Sequence, residues 1–306
     1  MIRIINCKNV LVKDITIINS QMWVQHYLAC KDVNIDGITV NSRVNANNDG
    51  FDIYGCIDVR ISNREIISGV DAIVLKSTLN RPRNDVTITN CVLSSTCNAF
   101  KLGTETNGGF QNNNFSNCTI YDTHLGGISL ELVYSGTLNR VSISKVTMNN
   151  VGAAIFIGLG NRLRLINEKM AKPGMDKLSN VIISNVQATN VGNTGCSITG
   201  LPGYPVENIT LENIRLTFQG GGTQELVKRK IPEIPENYPE YGMFGKLLTY
   251  GFYCRHAENL TLNDVELDYI ERDAKPSIVC DDIIGLELYK IIVRVNGNEP
   301  LYNAKM

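Results

Sequence analysis

Apolar residues recur along this chain at one fixed spacing, apolar-x-apolar-x-x-apolar-x-apolar. The spacing is clear at Val10, Val12, Ile15 and Ile17, and again at Val33, Ile35, Ile38 and Val40. It returns at Val59, Ile61 and Ile66, with Arg64 in an apolar slot, and at Val86, Ile88, Cys91 and Leu93. A weaker copy at Asn113, Phe115, Cys118 and Ile120 leads to clear ones starting at Val141, Val181, Ile209, Leu260 and Leu286. The steps between these ten copies are 23, 26, 27, 27, 28, 40, 28, 51 and 26 residues. Alternation with period two over so few residues is the signature of a strand. Gly, Asn and Ser follow many of the strands and tolerate the left-handed backbone that sharp corners need.

Short strand groups at a period near 27 predict an all-β, single-stranded right-handed parallel β-helix. Ten coils stacked about 4.8 Å apart make a rod roughly 50 Å long. A leucine-rich repeat is excluded by the missing Leu-x-x-Leu-x-Leu signature. Residues 1–306 read as one β-helix domain. Its first coil begins at the first residues with no visible cap, so N-terminal coils or a cap are expected to be missing. Two steps are too long and predict insertions near 159–178 and 218–250. The second carries a Gly-rich stretch, three prolines and several aromatics, and is read as a lid or cleft wall. Arg64 is expected to reach a carboxylate or to escape to solvent through a local bulge, because a buried unpaired guanidinium is very costly.

A further strand precedes each copy: "DGFDIY", "DAIVLK", "NAFKLG" and "GGISLE". Their third and fifth letters are apolar and point inward; by alternation the fourth and sixth face solvent. One outward column is then Asp52, Val74, Lys101 and Ser129, and the next Tyr54, Lys76, Gly103 and Glu131. Asp49, Asp71, Asn98 and Gly126 form a third column at the strand mouths. The coil before them places Trp23 below Asp49 and His26 below Asp52. Ordinary solvated faces also carry such charges. The concentration of polar residues in five coils, with the only tryptophan at their edge, points instead to a saccharide cleft. A carboxylate pair is also what glycosidic hydrolysis uses.

Composition narrows the function. A net charge of −1 and no basic stripe argue against nucleic acid, and no apolar run is long enough for membrane insertion. Nine cysteines leave at least one thiol unpaired within the chain, and Cys7, Cys30 and Cys56 are expected to stack as small buried residues. No C-x-x-C occurs and the three histidines are scattered, which argues against a zinc site. Nothing in the sequence speaks to oligomeric state.

At these residues the sequence resembles the polygalacturonase family, glycoside hydrolase family 28, especially its bacterial exo-acting branch. "NND", Asn47 to Asp49, is similar to the family's N-T-D, and "GVDAIVLKS" to its G-D-D-x-I-x-I-K-S. The resemblance covers nearly the whole chain. It implies hydrolysis, with inversion, of O-glycosidic bonds in a pectin-like or other plant polysaccharide or oligosaccharide, without metal or organic cofactor. It suggests a periplasmic or secreted protein. It carries the two water-activating aspartates onto Asp49 and Asp71, the catalytic candidates. Trp23, His26, Asn47, Asp52, Tyr54, Lys76, Asn98, Lys101, Glu105 and Glu131 are the candidates for binding substrate.

The departures bear on mechanism. Val70 occupies the general-acid position, Asn98 that of the G-H-G histidine, and Ser129 and Glu131 replace the Arg and Lys that grip a uronate. Either Asp71 takes over the acid role, or Glu131 or Glu105 reaches the leaving oxygen, or the chain binds saccharide and hydrolyses it poorly or not at all. Glu131 is expected to turn the cleft towards neutral sugars. A lyase on the same architecture would need a Ca²⁺ cluster of carboxylates or a catalytic Arg or Lys, and the columns hold only scattered acids.

Overall fold

The computed structural model describes residues 1–78, 84–162 and 177–294, and the backbone of the strand Tyr302–Lys305. Its strands form one 19-stranded sheet wound into a parallel β-solenoid of about ten turns. The corner inside the apolar motif explains the winding. The second of its two central residues has a positive φ in all ten copies: Asp14, Gly37, Asn63, Asn90, Asn117, Lys145, Asn185, Asn213, Asp264 and Lys290. One left-handed residue bends a strand sharply, and Asn and Asp enter that region at the lowest cost after Gly. Stacked corners then pair along the solenoid: Asn117 Nδ2 donates to Asn90 Oδ1 at 2.7 Å, and Asn90 Nδ2 to Asn63 Oδ1 at 2.9 Å.

The motif's apolar positions fill the interior. Val33, Ile35, Ile38 and Val40 are buried, as are their apolar counterparts through the coil of Leu260, while Leu286, Leu288, Ile291 and Val293 of the following coil are partly buried. Fully burying such a side chain stabilises by about 1.5–3 kcal/mol, which rewards keeping the register from coil to coil. Phe100 stacks on Phe115 inside the solenoid at 4.4 Å between ring centroids. On the outermost coil Cys7 is exposed, so the expected buried cysteine column holds only for Cys30 and Cys56. Arg64 stays in register opposite Cys91 and is exposed, reaching solvent without the expected bulge.

The insertions differ in detail from those expected. The strands Val206–Gly220 and Phe252–Glu271 bound the second, so it comprises residues 221–251. It is pinned rather than loose. Arg229 Nη2 donates to the Phe244 carbonyl at 2.5 Å, and Arg255 Nη1 and Nη2 donate to the carbonyls of Ile231 and Pro232, each at 2.9 Å. Phe244 and Leu247 pack with Tyr253 and Val279 as a second small core. The first insertion, expected near 159–178, falls largely outside the described residues.

Candidate active site

The strands Gln25–Leu28, Phe51–Tyr54, Ile73–Lys76 and Phe100–Leu102 lie side by side in parallel, with His26 beside Asp52, Asp52 beside Val74 and Val74 beside Lys101. The columns read from the sequence are therefore real neighbours. Their exposure is not as expected: Asp52, Val74, Lys101, Ser129 and Glu131 are all buried. These side chains leave the solenoid core but do not reach bulk water. For Lys101 the covering group is Tyr238 of the pinned insertion, whose hydroxyl accepts from Lys101 Nζ at 3.2 Å.

A cleft of about 620 Å³ opens on this face. Of the residues singled out in the sequence, Trp23, His26, Asn47, Asp49, Asp52, Tyr54, Asp71, Lys76, Lys101 and Glu105 line it, and Val70 stands beside Asp71. Asn98 and Glu131 lie behind the wall. Arg3, Thr78, Thr104 and Tyr238 also line the cleft and were not anticipated.

Local structure places the two catalytic candidates. Asp49 ends a turn anchored by Asn48, whose Oδ1 accepts from the amides of Val44 and Asn45 at 3.2 and 3.0 Å and whose Nδ2 donates to the Ser20 carbonyl. The buried anchor of "NND" is thus its middle residue, while Asn47 faces the cleft. Asp71 is held from the next coil. Its Oδ1 accepts from Asn98 N at 3.1 Å and Asn98 Nδ2 at 2.9 Å. Asn98 Oδ1 in turn accepts from Ser129 Oγ at 2.9 Å and Gly126 N at 3.0 Å. Asn98 and Ser129 therefore orient the carboxylate of Asp71.

Two lysines distribute charge among four acids. Lys76 Nζ lies 2.5 Å from Asp52 Oδ1 and 3.2 Å from Asp49 Oδ2, and sits 5.6 Å from the centroid of the Trp23 ring. Lys101 Nζ lies 3.1 Å from Glu131 Oε2 and 3.7 Å from Asp71 Oδ2. Burial pushes the Asp49 carboxyl up to about 7, with the neighbouring Asp52 adding to the rise and Lys76 opposing it. Asp52 is raised for the same first reason. Burial raises Glu131 to about 8 against the pull of Lys101. His26 is lowered by burial and by the nearby cations Arg3 and Lys76. Because Glu131 is buried against Lys101, it does not present a negative charge to a sugar, which removes the expected reason for a preference for neutral substrates.

These shifts predict a pH dependence of stability. Folded values near 7 and 8 lie above the ordinary carboxylate range of about 4. The stability linked to these protons is complete below about pH 4 and is lost as pH rises through 7 and 8. Unfolding free energy from urea titration should therefore fall from pH 5 to pH 9. Asp49→Asn and Glu131→Gln should each flatten that fall; stability rising over this window would contradict the assignment.

Comparison with known proteins adds the family. The sequence model of "Glycosyl hydrolases family 28" matches residues 1–233. An exopolygalacturonase from Platanus acerifolia is 27% identical over 234 residues, covering 70% of this chain and 57% of that protein. A probable polygalacturonase from Vitis vinifera is 22% identical, covering 71% of this chain and 46% of its own length. The chain thus spans about half the length of these relatives. A solved hyperthermoactive exopolygalacturonase from Thermotoga maritima shares the fold, with a TM-score of 0.56 at 22% identity, over 71% of this chain and 49% of that one.

Proposed function

The chain belongs to glycosyl hydrolases family 28, and on that premise we propose that its acid-lined cleft hydrolyses O-glycosidic bonds of a pectin-like polysaccharide by an inverting mechanism. The observation that carries this reading is a pair of buried carboxyls in opposite settings. Asp49 is pushed up to about 7, so near neutral pH it has a proton to give. Asp71 instead accepts two hydrogen bonds from Asn98 and faces the Lys101 ammonium. Pairs of carboxyls whose surroundings differ in this way divide acid from base work. Asp49 is thus the acid that protonates the leaving oxygen, and Asp71 the base that activates water. This assignment gives the missing acid at Val70 a substitute within the same cleft, and it is neither of those weighed from the sequence. Among the described residues Arg3 lines the cleft without an acid within 4.0 Å, whereas Lys76 and Lys101 are both paired. Arg3 is the group we assign to a uronate carboxylate.

Val70 favours a second reading, in which the cleft binds saccharide without cleaving it. Reducing-sugar release from polygalacturonate and from its methyl ester, alongside calorimetric binding, separates the two. Release with binding supports hydrolysis; binding without release supports the second reading. An unsaturated product absorbing in the ultraviolet would instead identify a lyase.

A further inference from the structure

A second cleft, of about 390 Å³, opens farther along the solenoid. Its volume lies within the about 300–1,000 Å³ typical of small-molecule sites. The segments that form it, at 122–124, 150–152 and 192–194, belong to the coils that follow those of Asp71 and Asn98. From Asp71 to Gly152 is three coils, or about 14 Å at 4.8 Å per coil. The pinned insertion serves both clefts: Tyr238 lines the first and Tyr241, three residues on, lines the second.

The lining of the second cleft is different in kind. Among the described residues it contains no lysine and no arginine, where the first contains Arg3, Lys76 and Lys101. It offers one aromatic ring, Tyr241, the carboxylate of Asp122, the imidazole of His124 and the side-chain amides of Asn150, Asn193 and Gln219. Asp122, Asn150 and Gln219 belong to a preset rail completed by Asn190, which stands outside the lining. Asn150 Nδ2 donates to Asp122 Oδ1 at 2.7 Å, Asn190 Nδ2 to Asn150 Oδ1 at 3.1 Å, and Gln219 Nε2 to Asn190 Oδ1 at 3.2 Å. Such a rail keeps its remaining lone pairs and N–H groups in fixed positions. Tyr241 is held against Gly152, where an added Cβ would come 3.0 Å from its Cζ. A rigid ring flanked by amides and a carboxylate suits a sugar: the ring packs on C–H groups and the rail pairs with hydroxyls. This lining has no cation of that kind to offset the charge of a uronate, and Asp122 repels it.

We propose that this second cleft is a binding site for uncharged sugar units, distinct from the acid-lined cleft. It shares with the proposed function only the premise that the ligand is a saccharide. The test therefore reads binding, not turnover. TROSY spectra are recorded while a neutral galactose trisaccharide is added at millimolar concentration, and in parallel the galacturonate trisaccharide, whose rings differ by oxidation at C6. The expected result is shifts of the amides at 122–124, 150–152 and 192–194 with the neutral sugar and not with the acid. Tyr241→Ala should weaken this binding at least about tenfold, in the range of a single aromatic hot spot, while Tyr241→Phe retains it. Gln219→Ala, an exposed change, gives a second weakened variant should Tyr241→Ala fail to fold. Reducing-sugar release from polygalacturonate is measured on the same proteins, so failure of the hydrolase reading is scored separately. No shift at these amides, equal shifts with the acid, or undiminished binding in folded Tyr241→Ala and Gln219→Ala would each overturn the proposal.

Discussion

Asp71→Asn is expected to lower kcat on polygalacturonate by about 10²–10⁴-fold, the usual worth of one acid–base group, while leaving binding within a few-fold. The change is close to isosteric. The amide oxygen it introduces could still accept from Asn98 N and Nδ2, which now meet Asp71 Oδ1 at 3.1 and 2.9 Å. What is lost is the basicity needed to activate water, together with the attraction to Lys101 Nζ, 3.7 Å away. A loss confined to kcat is the pattern of an interaction made in the transition state. The pH profile should carry a second sign. Asp49, at about 7, holds its proton below that value and loses it above. Wild-type kcat should therefore decline as pH rises through 7, and Asp49→Asn should remove both the decline and most of the rate. Steady-state kinetics of wild type and both variants between pH 5 and 9 checks this. An Asp71→Asn enzyme as fast as wild type would end the catalytic reading of the cleft.

The solenoid was legible because one local choice repeats. A left-handed residue at the fifth place of the motif makes the corner, and Asn63, Asn90 and Asn117 announce it in the sequence. Once the period is known, parallel pairing sets neighbours, so the column from His26 through Asp52 and Val74 to Lys101 could be read without coordinates. Alternation alone, however, says only that a side chain leaves the core. Whether it meets water depends on distant chain, and Lys101 is covered by Tyr238, 137 residues away in sequence. Burial is also what separates Asp49 from an ordinary aspartate, so acid and base roles could not be divided by motif position. Arg3 escaped notice because it lies a coil outside the recognised motifs, and Tyr238 because an insertion has no periodicity to place its residues. Asn48 was passed over for Asn47 because spacing cannot tell the buried anchor of a turn from its exposed neighbour.

Val70→Asp is expected to raise kcat at least about tenfold if the cleft is a hydrolase short of its acid, the low side of what a general acid supplies. The site can receive the group. Val70 is partly exposed on the cleft wall, and its backbone is fixed by the hydrogen bonds of its carbonyl to Ser68 Oγ and Ser95 Oγ. A carboxyl added there would join Asp49, Asp52 and Asp71 around only two lysines. Like charges in so small a space hold one proton on the cluster near neutral pH, which makes it available for donation. The size of the gain measures how well Asp49 already substitutes. If Asp49 delivers its proton well, Val70→Asp should change kcat by less than about threefold, within the context-dependent spread of a single acid–base contribution, and Asp49→Asn should remain severely impaired. If Asp49 serves poorly, Val70→Asp should raise kcat and restore much of the rate to Asp49→Asn. The double variant Val70→Asp/Asp49→Asn therefore decides between them, measured on polygalacturonate at pH 6. Activity absent from wild type and from every variant, with binding intact, would reject both and leave the cleft as a binding site.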